Sequence, residues 1–196
     1  MRRNILLAAC FAIAGLSTGQ ASASFHTFRI NELYSNPSGT VQFIEMREVS
    51  GFNFQNALTS APDIKSLTQD FVFPANLPST TTANKDFLLA TLGYAAIPGA
   101  PTPDYTIPSN FFSPLGDTIQ YVTTGGTAEL TTFGALPSGA TQSLNRIGTS
   151  GNSYSTATNS PTNFAGATGS IPEPASGLLI AGVAAVTLRR KVRDAR

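Results

Sequence analysis

Two glutamates, Glu32 and Glu45, are the side chains best placed for acid–base or metal chemistry. They fall on two predicted strands, residues 27–34 and 41–47, and the turn-forming segment Ser35-Asn36-Pro37-Ser38-Gly39 between them predicts a hairpin. Across a hairpin, the two carboxyl groups can face each other. Such a pair can hold Ca²⁺ together with backbone carbonyls, or serve as acid and base in glycoside hydrolysis. The structural alternative is that a glutamate pairs with one of three arginines: Arg29, Arg47 or Arg146.

The other residue types that serve in active sites do not converge. His26 is the only histidine, so zinc sites built from two or three histidines are excluded, and a Ser-His-Asp triad would have to recruit this one residue. Between Ser24 and Ser170, no serine stands in a G-x-S-x-G motif, and no D-x-[DN]-x-[DN]-G calcium loop occurs in the chain. We therefore predict no catalytic residue, no metal site and no cofactor.

Two weaker candidates for ligand binding remain. Asp117 follows a glycine, where it could bind a cation or simply begin a strand. A group of aromatic residues could stack on sugars if exposed, although in a chain without tryptophan the 13 phenylalanines must supply most of the core. These residues are Tyr105, Phe111, Phe112 and Tyr121.

Composition limits the partners of the chain. Between Ser24 and Ser170, nine acidic and five basic residues give a net charge of about −4 without a basic cluster. Nucleic acid is therefore not an expected partner, since contacts to phosphates supply most of that affinity. The single cysteine, Cys10, lies in the N-terminal segment, so the exported part has no disulfide.

Short apolar runs interrupted by Gly, Pro, Asn and Ser every ten residues or so predict an all-β sandwich or barrel. Five strands are predicted besides the hairpin: residues 66–73, 87–91, 118–122, 128–132 and 143–147. Residues 98–108 carry four prolines and predict an ordered loop or an edge, not a central strand. Residues 148–169 lack periodicity and predict a final loop that merges into a flexible linker at 167–170.

The body of the chain resembles the lamin-tail-like domains. The resemblance runs in order from about residue 28 to residue 164 and rests on Ile30-Asn31-Glu32-Leu33-Tyr34, Phe43-Ile44-Glu45, Phe87-Leu88-Leu89-Ala90, Asp117-Thr118-Ile119, Ser143-Leu144-Asn145-Arg146 and Asn159-Ser160-Pro161-Thr162-Asn163. The second strand lacks the usual tryptophan before its glutamate, and residues 63–84 are a long insertion. The resemblance implies an immunoglobulin-like β-sandwich over residues 24–166.

Arg146 lies in the Ser-Leu-Asn-Arg segment that carries part of this resemblance. We expect a partly buried ion pair between Glu45 and Arg146 that fixes the register of the sandwich. Removing one partner of a buried pair costs about 3–5 kcal/mol, so such a pair would be structural and not catalytic.

The N-terminus reads as a signal peptide over residues 1–23. Arg2 and Arg3 form a basic region, residues 5–16 are apolar, and Ala21-Ser22-Ala23 is a cleavage signature for signal peptidase. A lipobox, Leu7-Ala8-Ala9-Cys10, is the competing interpretation, but the apolar stretch continues beyond Cys10. We predict cleavage after Ala23.

The C-terminus combines three features over residues 171–196. Pro172-Glu173-Pro174 precedes an uncharged apolar run at 175–188, which the basic residues Arg189, Arg190, Lys191 and Arg193 follow. As a helix the run spans about 21 Å, less than the roughly 30 Å of a hydrocarbon core. Basic side chains at its cytoplasmic end would reach the interface and cover the difference. We therefore predict a transmembrane helix at 175–188.

This C-terminus resembles the PEP-CTERM sorting signal of Gram-negative bacteria, which implies processing by the membrane enzyme exosortase near the Pro-Glu-Pro motif. The protein is then expected to be exported, held transiently in the inner membrane and released to the cell surface or the exopolysaccharide matrix. We expect a non-enzymatic structural or adhesive protein. The alternatives are a secreted hydrolase that uses Glu32 and Glu45 on matrix polysaccharide, and a sugar- or calcium-binding module.

Overall fold

The structure is a computed structural model that describes residues 26–60 and 62–171. Several predicted features lie outside these residues: the signal peptide with Ala21 and Ala23, the motif at 172–174, the apolar run at 175–188 and the basic cluster at 189–193. Within the described residues, no helix has the length and apolar character needed to cross a membrane.

The described residues form an all-β fold with two sheets, as the sequence predicts. The ten strands are β1 Phe28–Ser35, β2 Gln42–Glu48, β3 Asp63–Lys65, β4 Asp70–Val72, β5 Asp86–Thr91, β6 Tyr105–Ile107, β7 Asp117–Thr123, β8 Gly126–Phe133, β9 Gln142–Arg146 and β10 Tyr154–Thr158. A short 3-10 helix, Leu58–Ser60, precedes β3, and a single helical turn, α1 Leu92–Ala95, follows β5.

The strands divide into a six-stranded sheet, in the order β10-β9-β1-β2-β5-β6, and a four-stranded sheet, in the order β4-β3-β7-β8. All neighbours are antiparallel except β5 and β6. One apolar core joins the two sheets, because side chains such as Ile30 and Phe87 from the first cluster with Ile119 and Tyr121 from the second. The inner faces of the two sheets thus bury each other.

The observed strands differ from the predicted ones at β3 and β4, and at β10, which lies within residues 148–169 that the sequence pattern predicts as a loop. Residues 66–73 were one strand by pattern, but Ser66 and Gln69 form a turn, with the Ser66 amide donating to the Gln69 carbonyl at 2.8 Å, so β3 and β4 lie on either side of it. The proline-rich residues 98–108 contain β6, which lies at the edge of its sheet as expected.

A bulge in β1 decides which side chains share a face. The register of β1 against β2 shifts between Ile30 and Glu32, where Ile30 lies opposite Met46 and Glu32 lies opposite Glu45. Ile30 therefore faces the core between the sheets, whereas Glu32 faces outward together with Glu45.

The segment after β10, residues 159–171, covers the outer face of the six-stranded sheet, and we call it the C-terminal strap. Its last residue, Ile171, is 3% exposed and clusters with Tyr34, Phe43, Leu88 and Tyr94. The Ile171 amide donates to Asn159 Oδ1 at 2.7 Å. Residues 167–170, expected as a flexible linker, therefore belong to the folded body, which continues to Ile171 instead of ending at residue 166.

Gly93 in α1 provides a test of this packing. A Cβ added at Gly93 would lie 2.3 Å from the carbonyl oxygen of Thr40, a backbone atom that also accepts a hydrogen bond from the Thr91 hydroxyl. We expect Gly93→Ala to lower the free energy of unfolding by about 1–3 kcal/mol, since the backbone must shift. Gly134→Ala is the control, because nothing lies within 4 Å of the added atom. Equal urea midpoints for the two variants would contradict the close approach.

Candidate functional site

Glu32 and Glu45 form a buried carboxylate pair, as the hairpin predicts. They lie directly opposite each other on β1 and β2, and their exposures are 1% and 2%. Asn31 Nδ2 donates to Glu45 Oε1 at 2.5 Å, and the hydroxyl of Ser143 donates to Glu32 Oε1 at 2.6 Å. In the described part of the chain, no lysine or arginine pairs with either glutamate.

Three carboxylates bind the C-terminal strap through its backbone. The amide of Ser160 donates to Glu32 at 3.0 Å, and the amide of Thr162 donates to Glu45 at 2.6 Å. The amide of Phe164 donates to Asp104 at 2.9 Å. Alternate amides of an extended chain point the same way, so a row of acceptors on the sheet fixes the strap residue by residue.

Burial changes the protonation of this site. Desolvation, followed by the negative charges of Asp86 and Glu32, raises the pKa of Glu45 to about 8. Desolvation also raises the pKa of Glu32, although hydrogen bonds from Ser143 and Ser160 oppose it. At neutral pH, the pair therefore retains a proton, which relieves the repulsion of two facing carboxylates.

The site is closed to a substrate. The strap covers both glutamates, and their oxygens already accept hydrogen bonds from the protein. Tyr94 packs on the same outer face, with its hydroxyl buried and without a hydrogen-bond partner in the described structure. Across residues 26–60 and 62–171, no three His, Cys, Asp or Glu residues are grouped so as to hold a metal ion. The geometry supports anchoring of the strap.

The predicted ion pair between Glu45 and Arg146 is wrong, because the two side chains lie on opposite faces of the six-stranded sheet. Asn145 lies opposite Glu32 on the outer face, so its neighbour Arg146 points inward. Arg146 instead pairs with Glu129 of β8, in the other sheet, and both side chains are only 1% exposed. The register-fixing ion pair exists with a different carboxylate.

The Glu129–Arg146 pair holds the backbone of β1 at its bulge. The Ile30 amide donates to Glu129 Oε2 at 2.7 Å, and Arg146 Nε donates to the Ile30 carbonyl at 2.7 Å. The Tyr154 hydroxyl also donates to this carbonyl, at 2.9 Å. Because β1 and β9 pair only at Glu32 and Leu33, these side chains satisfy backbone groups that the ladder leaves open.

The remaining carboxylates are also structural acceptors. Glu48 accepts from the amides of Ser50, Gly51 and Asn84. Asp117, a candidate for a cation site, accepts from the amides of Leu67, Ser113 and Thr118.

The other acidic residues form ion pairs. Asp86 pairs with Arg47 at 3.0 Å, and Asp63 and Asp70 pair with Lys65 at 2.9 Å. Each acidic residue of the described domain is thus engaged by the protein.

The other candidate residues are not assembled into a site. The four aromatic residues considered for sugar stacking are buried in the core, with exposures of 7% or less: Tyr105, Phe111, Phe112 and Tyr121. They have no face available to a sugar. His26 is exposed, and its carbonyl accepts a hydrogen bond from Arg29.

The sequence pattern did not predict the roles of Glu129 and Gln42. Gln42 is fully buried, and its side chain joins β2 to the loop before β7 through the Phe111 amide and the Phe112 carbonyl, at 2.8 and 2.6 Å. The only signal for Glu129 is its phase in β8, where it alternates with exposed residues and shares a face with buried Thr131 and Phe133.

Comparison with known proteins identifies no family: no protein-family model matches the chain, and no curated protein matches it.

The buried ion pair yields a stability prediction. We expect Arg146→Ala to lower the free energy of unfolding by about 3–5 kcal/mol, because Glu129 would be left charged and buried and the Ile30 carbonyl would lose a donor. Arg47→Ala is the matched control: its side chain is 42% exposed, so loss of its pair with Asp86 should cost about 1 kcal/mol or less. Urea unfolding measures both, and equal losses would contradict the role of the buried pair.

The strap site yields a pH prediction. The raised pKa of Glu45 means that the folded state holds a proton that the unfolded state has lost between about pH 5 and pH 8. The free energy of unfolding should therefore fall as pH rises through this window, on the order of 1–3 kcal/mol. Glu45→Gln, which resembles the neutral acid, should make the dependence shallower.

Asp70→Asn is the control for the pH series, because the Asp70 side chain is 59% exposed and lies on the other sheet. It should leave the dependence unchanged. A wild-type curve that rises from pH 5 to pH 8 would contradict the assigned protonation.

Proposed function

We propose that this chain is an exported, non-enzymatic protein of the cell surface or the exopolysaccharide matrix, sorted and processed by exosortase. Its β-domain is the structural or adhesive part. The observation that carries the proposal is the order of features at the C-terminus: Pro172-Glu173-Pro174, an uncharged run and four basic residues within five positions. The signal-peptide pattern at residues 1–23 supports export.

The position of the motif relative to the fold supports the sorting proposal. Ile171 is buried in the domain and Pro172 follows it directly, so the motif begins next to the last residue that the structure describes. A cut before Ile171 would remove a core side chain, whereas a cut within residues 172–176 would leave the strap intact. We place processing in the second range.

The fold supports a lamin-tail-like, immunoglobulin-like sandwich as the body of the protein. Immunoglobulin-like sandwiches consist of two mainly antiparallel sheets with a shared core, as this domain does. The segments that carry the resemblance contain residues that hold this fold together. Glu32, Glu45 and the segment 159–163 meet at the strap, and Arg146 lies in the buried ion pair.

The carboxylates favour a structural role over the hydrolase alternative. A pair of glycosidase carboxyl groups must leave room for a sugar and a water between them. Glu32 and Glu45 lie beneath the strap and bind its amides, and the other acidic side chains of the described domain are engaged as acceptors or in ion pairs. These contacts support the proposal that the acidic residues stabilise the fold.

Intact mass and cell fractionation test the sorting proposal. In cells with exosortase, we expect a product that begins at Ser24, retains Ile171, lacks the apolar run and is found outside the inner membrane. In cells without the enzyme, the same chain should keep its C-terminus and fractionate with the inner membrane. A full-length C-terminus in the first strain would overturn the proposal.

Variants of the motif separate recognition from folding. Glu173→Ala should leave the chain unprocessed in cells with exosortase, since the motif is the proposed recognition element. Ser170→Ala, an exposed position on the domain side of the motif, should be processed as the wild type is. Equal processing of both variants would show that exosortase does not recognise Glu173.

A further inference from the structure

Strand β10 is an open edge of the six-stranded sheet. It pairs with β9 on one side, and no other described strand lies on its other side. Residues Ser155 to Thr158 are exposed, and their side chains make no hydrogen bond within the described part of the chain. Such an edge presents unpaired backbone donors and acceptors to an added strand.

The register shows which backbone groups are free. Ala157 pairs with Ser143 and Ser155 with Asn145, in phase with the bond from the Asn159 amide to the Thr141 carbonyl. Hydrogen-bonded pairs alternate along an antiparallel ladder, so the odd-numbered residues of β10 face β9. The amides and carbonyls of Tyr154, Thr156 and Thr158 therefore point to the open side.

The other three edges carry features that discourage pairing. β6 is three residues long and lies between Pro103 and Pro108, and β4 is three residues long and is followed by Pro74. β8 points a charged side chain, Glu129, inward, and its Leu130 carbonyl accepts from Asn152 Nδ2 at 2.6 Å. β10 has neither proline nor charge, and residues 147–171 contain no Asp, Glu, Lys or Arg.

We propose that β10 is a self-association surface at which a second copy of this chain adds its own β10 in antiparallel register, joining two six-stranded sheets. With Thr156 opposite Thr156 of the other copy, Tyr154 lies opposite Thr158, and the free groups form about six main-chain hydrogen bonds. A second copy is the fitting occupant, because an uncharged strand meets its own image without like-charge repulsion, and threonine pairs well with threonine across strands.

The surface is small, which fixes the strength of the contact. Five residues a side bury less than the roughly 1,200–2,000 Å² of stable interfaces. The association is therefore weak, and the fraction of dimer depends on the protein concentration. Such contacts become effective where many copies are held close together.

Sedimentation of the full chain in dodecyl maltoside micelles tests the proposal, with Cys10→Ser in all samples. The wild type should show a concentration-dependent monomer–dimer equilibrium, and Thr156→Lys should weaken it by about tenfold or more, because two ammonium groups would face each other. Thr127→Lys is the control, since it makes the same change at an exposed residue of β8 and should dimerise normally. Melting curves of both variants verify folding.

Two results would overturn the proposal: a wild type that is monomeric at all concentrations, or a Thr156→Lys variant that associates as strongly as Thr127→Lys, which would assign association to another part of the chain.

Cysteine cross-linking tests the register. Thr156→Cys should form an intermolecular disulfide on mild oxidation, because hydrogen-bonded antiparallel partners have Cα atoms about 5.5 Å apart, within disulfide range. Val72→Cys, at 69% exposure on the edge strand β4, should cross-link far more slowly. Equal rates at the two positions would reject the β10 register.

Discussion

The contact of Glu129 and Arg146 with the backbone of Ile30 is the interaction on which the two-sheet arrangement depends. Each side chain comes from a different sheet, and both are almost fully removed from water. Together they satisfy the amide and the carbonyl of a residue next to the β1 bulge, where the ladder to β9 stops. Hydrophobic contacts between the sheets are non-directional and allow several alignments. The charged pair forms hydrogen bonds to two specific backbone groups, so it sets how the sheets align.

The bulge links this inner contact to the outer site. The register shift after Ile30 places Glu32 on the same face as Glu45, although an unbroken strand would turn it inward with Ile30. Two facing carboxylates repel each other, but these two accept hydrogen bonds from backbone amides of the strap that would otherwise lack a partner. A retained proton on the pair completes the balance of charge. The inner ion pair and the outer carboxylate site are thus two consequences of one irregularity in β1.

The sequence predicted the elements that follow from local chemistry. The hairpin of β1 and β2, the all-β class and the edge position of β6 depend on turn residues, β-branched residues and prolines, which act over a few positions. The partner of Arg146 could not be predicted, because it depends on which face of β9 the side chain occupies and on a strand of the other sheet. The last part of the strap, residues 167–170, was predicted to be a linker, because the strap is held by carboxylates more than a hundred residues earlier and a Ser/Thr/Gly composition carries no sign of them.

The charge-free segment that follows β9 contains the features of this molecule that bear on the proposed role at the cell surface. Its first half is the exposed edge β10, and its second half is the strap, which ends at buried Ile171 beside the proposed sorting motif. A cut just after Ile171 would leave both halves on the domain, because the strap binds through its backbone amides and Ile171 stays in its cluster. Processing would therefore release a domain whose open edge is unchanged, and the tail that is lost carries no part of the described fold.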